Sequence, residues 1–439
     1  MSVATIHPYI EALLKGSREL PQSPADWLNA RRAQALERAN ALTVPTTRDE
    51  EWRFTDLTPL TRIHFQPAQA ASAGLALSDI GHFVVPEAAA RLTFVDGVFA
   101  PGLSSLQDLP AGVRVATLAE GVKTRDALLD QHLARHAAFE NNVFAAINTS
   151  YLRDGALVTV AKNRICAAPV HVLFVATQKE VAAYPRCLVI AESGAECTVV
   201  EDYVCLEDGV YFNNAVTEIA VGANARVRHV RLQREGASAF HIANCAVTLD
   251  REASYLSNAV SLGARISRYN LGVAQNGKGA EMKLDGLALI SGRQLADTHT
   301  LMSHARPNGR SAQLHKCIVG GAAHAVFNGK VFVHEGAQLT DSSQQNRNLL
   351  LSGRAHVDTK PQLEIFADDV KCSHGATVGQ LDAEQLFYLR SRGLSDISAR
   401  NLLTYAFGAE IIDRIPVPSL VERLERTVLE QTQSAEHQP

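Results

Sequence analysis

The chain has 439 residues, of which 46% are hydrophobic and 20% are charged, as expected for a folded protein with a sizeable core. The formal net charge is −4, and no run of Lys or Arg alternates with aromatic residues, so nucleic acid is not an expected partner. The chain begins without an apolar stretch of signal-peptide length, and the apolar run 170–176 is too short to span a bilayer. These features predict a cytoplasmic protein without membrane attachment.

Residues 1–150 are predicted to form a helical and mixed α/β region. Ser23 can cap a helix whose first residue is Pro24. Short strand-like runs follow between residues 91 and 119, separated by Gly and Pro. Leu, Phe and Val then recur every three or four residues over 125–146, which predicts a helix that closes this region.

Residues 151–376 consist of short alternating strands, such as ALVTVA and KVFVHE, without a convincing helix. A glycine followed by a small residue recurs between them, as in SGAEC, VGANA, EGASA, LGARI, KGAEM and EGAQL, and its last occurrences lie about one and a half dozen residues apart. Such a loose repeat is typical of small coils that bury their apolar faces by stacking. The predicted fold is mainly β, a parallel β-helix or solenoid, because two-residue hairpin loops of a sandwich are rare here.

Residues 377–439 are predicted to be helical again, with Asp382 capping a first helix, Gly393 ending it and Ser395 capping a second. These helices carry more apolar residues than they can bury against one another. The surplus includes Leu386, Phe387, Leu402, Tyr405 and Phe407. Two uses of that surface are open, namely capping the end of the solenoid and binding a partner.

Cys372 and His374 are the leading candidate site residues. If residues 370–374 form a strand, the thiol and the imidazole share one face, where both could bind iron, zinc or copper. Two ligands do not complete a metal site, so the others would come from elsewhere in the chain or from another subunit. His315 and Cys317 repeat the same spacing and are secondary candidates.

The remaining cysteines and histidines are expected to be structural. The seven cysteines include no CxxC pair, so disulfides are not expected, and five of them are predicted to be buried in cores: Cys166, Cys187, Cys197, Cys205 and Cys245. Each of the other late histidines is predicted to lie on a solvated strand face: His299, His304, His324, His334 and His356. The polar run 340–374 has Asn, Gln, Asp and His at alternate positions, which predicts a ladder of hydrogen bonds.

Nucleotide-binding motifs are absent from the sequence. It contains neither GxxxxGK[ST] nor a GxGxxG between a strand and a helix, and it lacks the GxSxG of many hydrolases. The chain is therefore not expected to hydrolyse ATP or to be an enzyme on its own.

Several longer runs resemble the SufB/SufD family of the SUF iron–sulfur cluster assembly system. They are EEWRFTD near residue 50, DTHTLMSHARPNGRSAQLHKCIVGG, DSSQQNRNLLLSGRAHVDTKPQLEIFADDVKCSHGATVGQLD and LFYLRSRG. The resemblance covers most of the chain and is densest over 297–408. It implies a right-handed parallel β-helix between helical ends, in a scaffold subunit that pairs with a SufB-like paralogue.

The same resemblance implies roles for particular residues. The Cys-Ser-His motif lies near the subunit interface in this family, so Cys372 and His374 are expected to contact iron or nascent cluster there, with His374 as the metal ligand. The helices of 377–439 are expected to bind a SufC-like ABC-type ATPase. SufB carries a cysteine in an FYC motif, whereas this chain reads Phe387-Tyr388-Leu389, which favours the SufD branch and implies that sulfur arrives through SufB.

No cofactor is expected to be stably bound to the isolated chain, which could also form a homodimer. A transient iron–sulfur cluster is expected in the complex, and the sequence leaves flavin binding open. Two other classes also remain open. A β-helix carbohydrate-active enzyme would need paired carboxylates, for which Asp341, Asp358, Asp368 and Asp369 are available. A metal-binding protein that acts alone is the other.

Overall fold

The computed structural model describes residues 7–68, 74–106 and 109–434, with side chains to residue 430. Its α-helices are α1 (Pro8–Leu14), α2 (Asp26–Ala41), α3 (Thr58–Thr61), α4 (Leu77–Ile80), α5 (Leu118–Lys123), α6 (Ala127–His132), α7 (Val143–Ser150), α8 (Ala383–Ser391), α9 (Asp396–Ile412) and α10 (Pro418–Ser434). Within these ranges, no helix is both long enough and apolar enough to cross a membrane.

The strands are β1 (Gln66–Pro67), β2 (Ala90–Val95), β3 (Val98–Phe99), β4 (Val113–Thr117), β5 (Ala156–Val160), β6 (Val170–Ala176), β7 (Val181–Ala183), β8 (Arg186–Ala191), β9 (Glu196–Cys205), β10 (Phe212–Val221), β11 (Arg226–Arg234), β12 (Phe240–Leu249), β13 (Ser254–Ser261), β14 (Ile266–Gln275), β15 (Glu281–Ile290), β16 (Leu295–His304), β17 (Arg310–Val319), β18 (His324–Val333), β19 (Thr340–Leu350), β20 (His356–Ile365) and β21 (Val370–Gly379).

These strands form two facing sheets of a solenoid. The first sheet has the order β20-β18-β16-β14-β12-β10-β8-β5-β4, with the short strands β1 and β7 beside β10. The second has the order β21-β19-β17-β15-β13-β11-β9-β6-β2-β3. From β8 onward the chain alternates between the sheets, and neighbouring strands pair in parallel. The predicted parallel β-helix, with helices at both ends of the chain, is confirmed.

One coil of the solenoid is longer than the spacing of the glycine motif suggested. In the second sheet, Arg226 pairs with Ser254, Ser254 with Glu281, and Glu281 with Arg310, so successive coils are 27 to 29 residues apart. Each coil holds two strands and two turns. The glycine motif occurs at both turns, which is why its spacing underestimated the length of the coil.

A stacked turn explains the glycine and alanine of SGAEC and KGAEM. In this turn and its equivalents, one residue adopts a left-handed backbone conformation, with φ of 55° to 74° at Gly194, Asn224, Glu252, Gly279 and Asn308. Their N–H groups donate to carbonyls of the next coil, as from Gly194 to Ala223 at 2.9 Å. The next residue must be small because it points into the stack; fully buried alanines follow at Ala195, Ala225, Ala253 and Ala280. Glycine is favoured where φ is positive, and alanine where space is short.

The N-terminal region shares both sheets with the solenoid. β2 pairs with β6, and β4 pairs with β5, so the chain contributes strands to the stack before residue 151. At the other end, β21 continues to Gly379, past the predicted limit of the solenoid at residue 376.

The α2 helix begins at Asp26 rather than at the predicted Pro24. The Asn29 side chain accepts a hydrogen bond from the backbone N–H of Ser23 and so holds the turn that precedes the helix.

A buried carboxylate fixes the N-terminal region to the solenoid and breaks a predicted helix. Glu218 of β10 is fully buried and accepts the backbone N–H groups of residues 134–137 at 2.8 to 3.0 Å. It also pairs with the buried Arg186. Ala134 has a φ of 57°, so the helix predicted over 125–146 is split into α6 and α7. The backbone of 134–137 binds Glu218 instead of continuing a helix.

The C-terminal helices α9 and α10 cover the outer face of the second sheet rather than the end of the solenoid. Their apolar residues Ile411, Leu420 and Leu424 are buried in one cluster with Val230 and Leu287 of the solenoid. Capping of the solenoid end, one of the two expected uses of this surface, is therefore not what the structure shows.

A buried lysine holds α9 in place on that face. The Nζ atom of Lys316 donates to the carbonyl of Phe407 at 2.8 Å and lies 4.4 Å from the centre of its ring. The same atom lies 2.5 Å from a carboxylate oxygen of Glu410. Because a buried ammonium needs such partners, α9 is tied to β17 at a defined position.

Replacing Glu218 with Gln should destabilise the fold by about 3 kcal/mol, because Arg186 then remains buried without its counter-charge. Burial alone would raise the pKa of Glu218, but Arg186 and the backbone N–H groups lower it below its ordinary value of 4.5. The stabilisation is therefore present at neutral pH and disappears as the pH falls through the folded-state pKa. Chemical unfolding measured at pH 7 and in acid should show a difference that shrinks in acid.

The control is Glu196→Gln, which removes a part-exposed pair with Arg226 at 3.6 Å. We expect it to cost about 0 to 1 kcal/mol. Equal effects of the two variants would contradict the anchoring role of Glu218.

Candidate functional site at the last coil

The last coil, formed by β20 and β21, leaves the solenoid open at one end. Within the described residues, β20 pairs only with β18 and β21 only with β19, so one edge of each strand keeps its backbone N–H and C=O groups unpaired. Three large apolar side chains are exposed on this coil: Ile365 (39%), Phe366 (61%) and Val378 (50%). We call this surface the open end. Unpaired strand edges and exposed apolar groups are features of a surface that another chain covers.

Cys372 and His374 lie on β21 with their side chains on the inner face of the coil. Cys372 is in register with Ser342 and His374 with Gln344, and both of these β19 residues are buried inside the solenoid. The Cys372 side chain packs at the edge of the main core, whereas His374 is exposed. No hydrogen-bond partner of the imidazole occurs among the described residues. The predicted thiol and imidazole pair therefore shares one face and is accessible from the open end.

The surroundings of the Cys372 thiol raise its pKa and so disfavour the thiolate. Partial burial raises its pKa, and the negative charge of Asp341 raises it further, while a hydrogen bond with the backbone of Ser342 acts in the opposite direction. A thiolate is the form that binds metal. The thiol would therefore need a metal ion or a positive charge from another chain to become a ligand.

A polar ladder lies inside the solenoid below this pair, as the run 340–374 predicted. The hydroxyl of Ser311 donates to that of Ser342 at 2.7 Å, and the Gln344 amide donates to the Gln313 carbonyl at 2.8 Å. His304 continues the ladder at 2.9 Å from Ser311. The interior under the open end is therefore polar, and these hydrogen bonds link neighbouring strands within it.

The secondary candidates are sealed in the interior and are not part of this pair. His315 is 4% exposed, stacks on Phe327 at 4.8 Å, and has its pKa lowered by burial to about 4. Cys317 is fully buried among alanines, and burial raises its pKa to about 12. Both lie on β17, which β19 separates from β21. They are placed as neutral groups of the core.

The apolar residues predicted to bind an ATPase fall into two groups. Phe387 is 74% exposed and Leu402 is 43% exposed, and Leu386 is partly exposed. Tyr405 instead donates to Glu425 of α10 at 2.7 Å and packs with Phe407 against the buried cluster under α9. These last two residues already have structural partners within the chain.

Two further exposed apolar residues of this region, Tyr388 (56%) and Ile397 (47%), were not among the predicted contact residues. Together with Phe387 and Leu402 they form what we call the helical patch, on α8 and the first half of α9. Every residue of α8 is at least partly exposed. The first helix of the C-terminal region therefore presents its apolar side chains outward.

The N-terminal motif near residue 50 binds the outer face of the first sheet. The Trp52 ring lies 3.9 Å from the guanidinium of Arg268, and Glu51 lies 3.2 Å from the His299 ring. Thr55 donates to the buried Asp297 at 2.5 Å. The motif thus has a structural role, in which an aromatic residue anchors a connecting segment to the core.

All seven cysteines are free, as expected, and four of the five assigned to cores are buried, whereas Cys205 is only partly buried. Two of the carboxylates that were candidates for glycoside hydrolysis lie on different sheets. Asp341 lies on β19 of the second sheet, and Asp358 lies on β20 of the first, where it contacts two histidines.

Comparison with known proteins identifies the relatives of this chain. Residues 174–407 match the family model described as SUF system FeS cluster assembly, SufBD core domain, and residues 4–172 match the SufBD protein N-terminal region. The chain is 41% identical to an iron–sulfur cluster assembly SufBD family protein of Synechocystis, over 91% of this chain and 90% of that protein. It is 34% identical to the iron–sulfur cluster assembly protein SufD of Escherichia coli, over 93% and 92%. The SufD of Bacillus subtilis is 25% identical over 97% and 98%.

Replacing Asp341 with Asn should make Cys372 more reactive. Removing the negative charge lowers the pKa of the thiol, so more thiolate is present at pH 8, and alkylation by iodoacetamide should be about threefold faster. The rate is measured by mass spectrometry of the peptide that contains Cys372. Asp368→Asn is the control, since it removes an exposed carboxylate of the same region. Identical rates in the two variants would show that Asp341 does not act on this thiol.

Proposed function

Because the chain belongs to the SufBD family of iron–sulfur cluster assembly proteins, we propose that it acts as a SufD-like scaffold subunit without ATPase activity of its own. The observation that carries this proposal is the position of Cys372 and His374. They form a soft-ligand pair on an accessible inner face of the last coil. A pair in that position is available to iron or nascent cluster that is delivered between two chains.

The partner proposed for the open end is a SufB-like paralogue. Its last coil would continue the two sheets across the interface by pairing with the free edges of β20 and β21. Ile365, Phe366 and Val378 would be covered at the same time, which adds apolar burial to the backbone hydrogen bonds. An isolated chain could cover the same surface with a second copy of itself.

The proposed chemical role of the pair is to complete a coordination shell that the partner begins. His374 would contribute an imidazole nitrogen that no described residue of its own chain engages. Cys372 is the weaker candidate, because its raised pKa keeps the thiol protonated until a metal ion binds. Sulfur would arrive through the partner, since the other described cysteines of this chain are buried or lie away from the last coil.

The proposed site for a SufC-like ATPase is the helical patch. It presents aromatic and aliphatic side chains on α8 and α9, as expected of a surface that another protein covers. Since Lys316 ties α9 to the solenoid, a force applied at the patch would reach the sheets directly. ATP-driven movement of the partner could in this way change the geometry of the open end.

The family assignment leaves the carbohydrate-active alternative without support, and two of its candidate carboxylates, Asp341 and Asp358, lie on different sheets. The metal-binding alternative is taken up below as a property of a separate group of side chains.

Replacing His374 with Ala should reduce the iron and sulfide content of the reconstituted complex about tenfold, while the complex still assembles. The complex is purified from cells that co-express the SufB-like and SufC-like partners, and its iron and sulfide are then quantified. Assembly should persist because the exposed imidazole contributes little to packing. Ser373→Ala is the matched control, as it changes the adjacent side chain on the outer face of the same strand.

Unchanged iron and sulfide in the His374→Ala complex would reject the ligand role. Loss of the complex itself would instead indicate that His374 holds the subunits together. Size-exclusion chromatography of each preparation separates these results.

The double change of Phe387→Ala and Leu402→Ala should weaken ATPase binding by about 2 kcal/mol or more, since exposed aromatic anchors dominate such interfaces. Affinity is measured by calorimetry with the purified ATPase. Leu77→Ala is the control, because Leu77 is 50% exposed on α4 in the N-terminal region. Point changes are preferable to deletion of the helices, because removing α9 and α10 would expose the buried cluster beneath them. Undiminished binding would place the ATPase elsewhere.

A further inference from the structure

A second group of ligand-type side chains lies close to the last coil, on the outer face of the first sheet. His324 lies on β18, and His356 and Asp358 lie on β20. In-register pairing places His324 directly beside His356. Asp358 is two positions further along β20 and so shares the face of His356. Ala325, the neighbour of His324 in the chain, points inward into the cluster that contains Cys317, so the three side chains point outward.

The three side chains are already arranged around one point. The Oδ2 atom of Asp358 lies 2.7 Å from Nε2 of His324 and 3.2 Å from Nε2 of His356. All three potential ligand atoms lie within 4.8 Å of one another. Ligands that bind a zinc-like ion at about 2.0 to 2.2 Å are separated by roughly 3 to 3.5 Å. The two separations that involve Asp358 are close to this range, and the two imidazoles need only a small side-chain rotation to reach it.

The donor set selects the class of ion. Two imidazoles and one carboxylate suit divalent first-row transition metals, whereas calcium and magnesium prefer oxygen ligands throughout. Three protein ligands leave coordination positions open for water or another donor, as in exchangeable rather than purely structural sites. Exposure of the side chains also allows an ion to enter, since His356 is 65% exposed and both other residues are about one-quarter exposed.

We propose that His324, His356 and Asp358 bind one divalent first-row transition ion, of the ferrous or zinc class, on the outer face of the first sheet. This site is separate from Cys372 and His374, which lie on the inner face of the second sheet. All three of its protein ligands come from a single chain, and the site does not depend on the proposed function. It should therefore bind metal in the absence of any partner.

The test uses the untagged, metal-free, full-length protein, titrated anaerobically with Co²⁺. Visible absorption of the bound ion reports its ligands and its stoichiometry, and competition with Zn²⁺ and Fe²⁺ ranks the ions. We expect one ion per chain. His324→Ala, His356→Ala and Asp358→Asn should each weaken binding by about tenfold to a hundredfold or more.

Two controls locate the ion. His334→Ala removes an exposed histidine elsewhere, whose imidazole contacts Ser303 at 3.0 Å, and should leave binding unchanged. The double variant Cys372→Ser with His374→Ala should also retain the ion, so that failure of the proposed function and failure of this site are distinguishable. Thermal unfolding of every variant without metal verifies the fold, which these surface changes should preserve.

Three results would overturn the proposal. They are the absence of stoichiometric binding, binding that survives the combined loss of His324 and His356, and binding that is lost in the Cys372 and His374 double variant instead. In the first two cases the trio is only a hydrogen-bonded surface cluster. In the third the ion belongs to the open end.

Discussion

Parallel strands that pair in register are the constraint on which this structure depends. Each side chain lies directly beside the equivalent side chain of the previous coil, so chemistry is organised in columns along the solenoid. The column of Ser311 and Ser342 ends at Cys372, and the neighbouring column of Gln313 and Gln344 ends at His374. Inside the stack, Ser311 donates a hydrogen bond to Ser342, and Gln344 donates one to Gln313. Within the part of the chain that the structure describes, no strand follows the last coil, and Cys372 and His374 lie at the ends of these columns.

Buried polar contacts decide which surfaces of the solenoid remain accessible. Glu218 holds the N-terminal region against one side, and Lys316 holds α9 against the other. Both are charged groups whose burial is tolerated because backbone or side-chain partners surround them. With both flanks covered in this way, the last coil and α8 are left exposed. These are the two surfaces to which the proposed function assigns partners.

Local patterns in the sequence predicted much of the fold. Strand alternation and the repeated turn motif gave the solenoid, and Asp382 and Ser395 cap α8 and α9 as predicted. The shared face of Cys372 and His374 was also predictable, because two-residue spacing within a strand fixes it. These features depend on neighbours in the chain, so no knowledge of the tertiary structure was needed.

Features that depend on register between coils could not be predicted in this way. His324 and His356 are brought together only because β18 and β20 pair without an offset, which neither strand shows by itself. His315 is buried because β17 lies between β15 and β19, although its spacing from Cys317 is the same as that between Cys372 and His374. The position of α9 on the side of the solenoid depends on Lys316, which no local pattern distinguishes from other lysines.

The two ends of the solenoid differ in a way that limits its assembly. Opposite the last coil, the first sheet finishes with β4, which is antiparallel to its neighbour, and the second finishes with β3, a two-residue strand that is also antiparallel. A short antiparallel edge is a poor template for another parallel coil. Under the proposed function, contact through the last coils would therefore join two chains and would not extend head-to-tail into a filament.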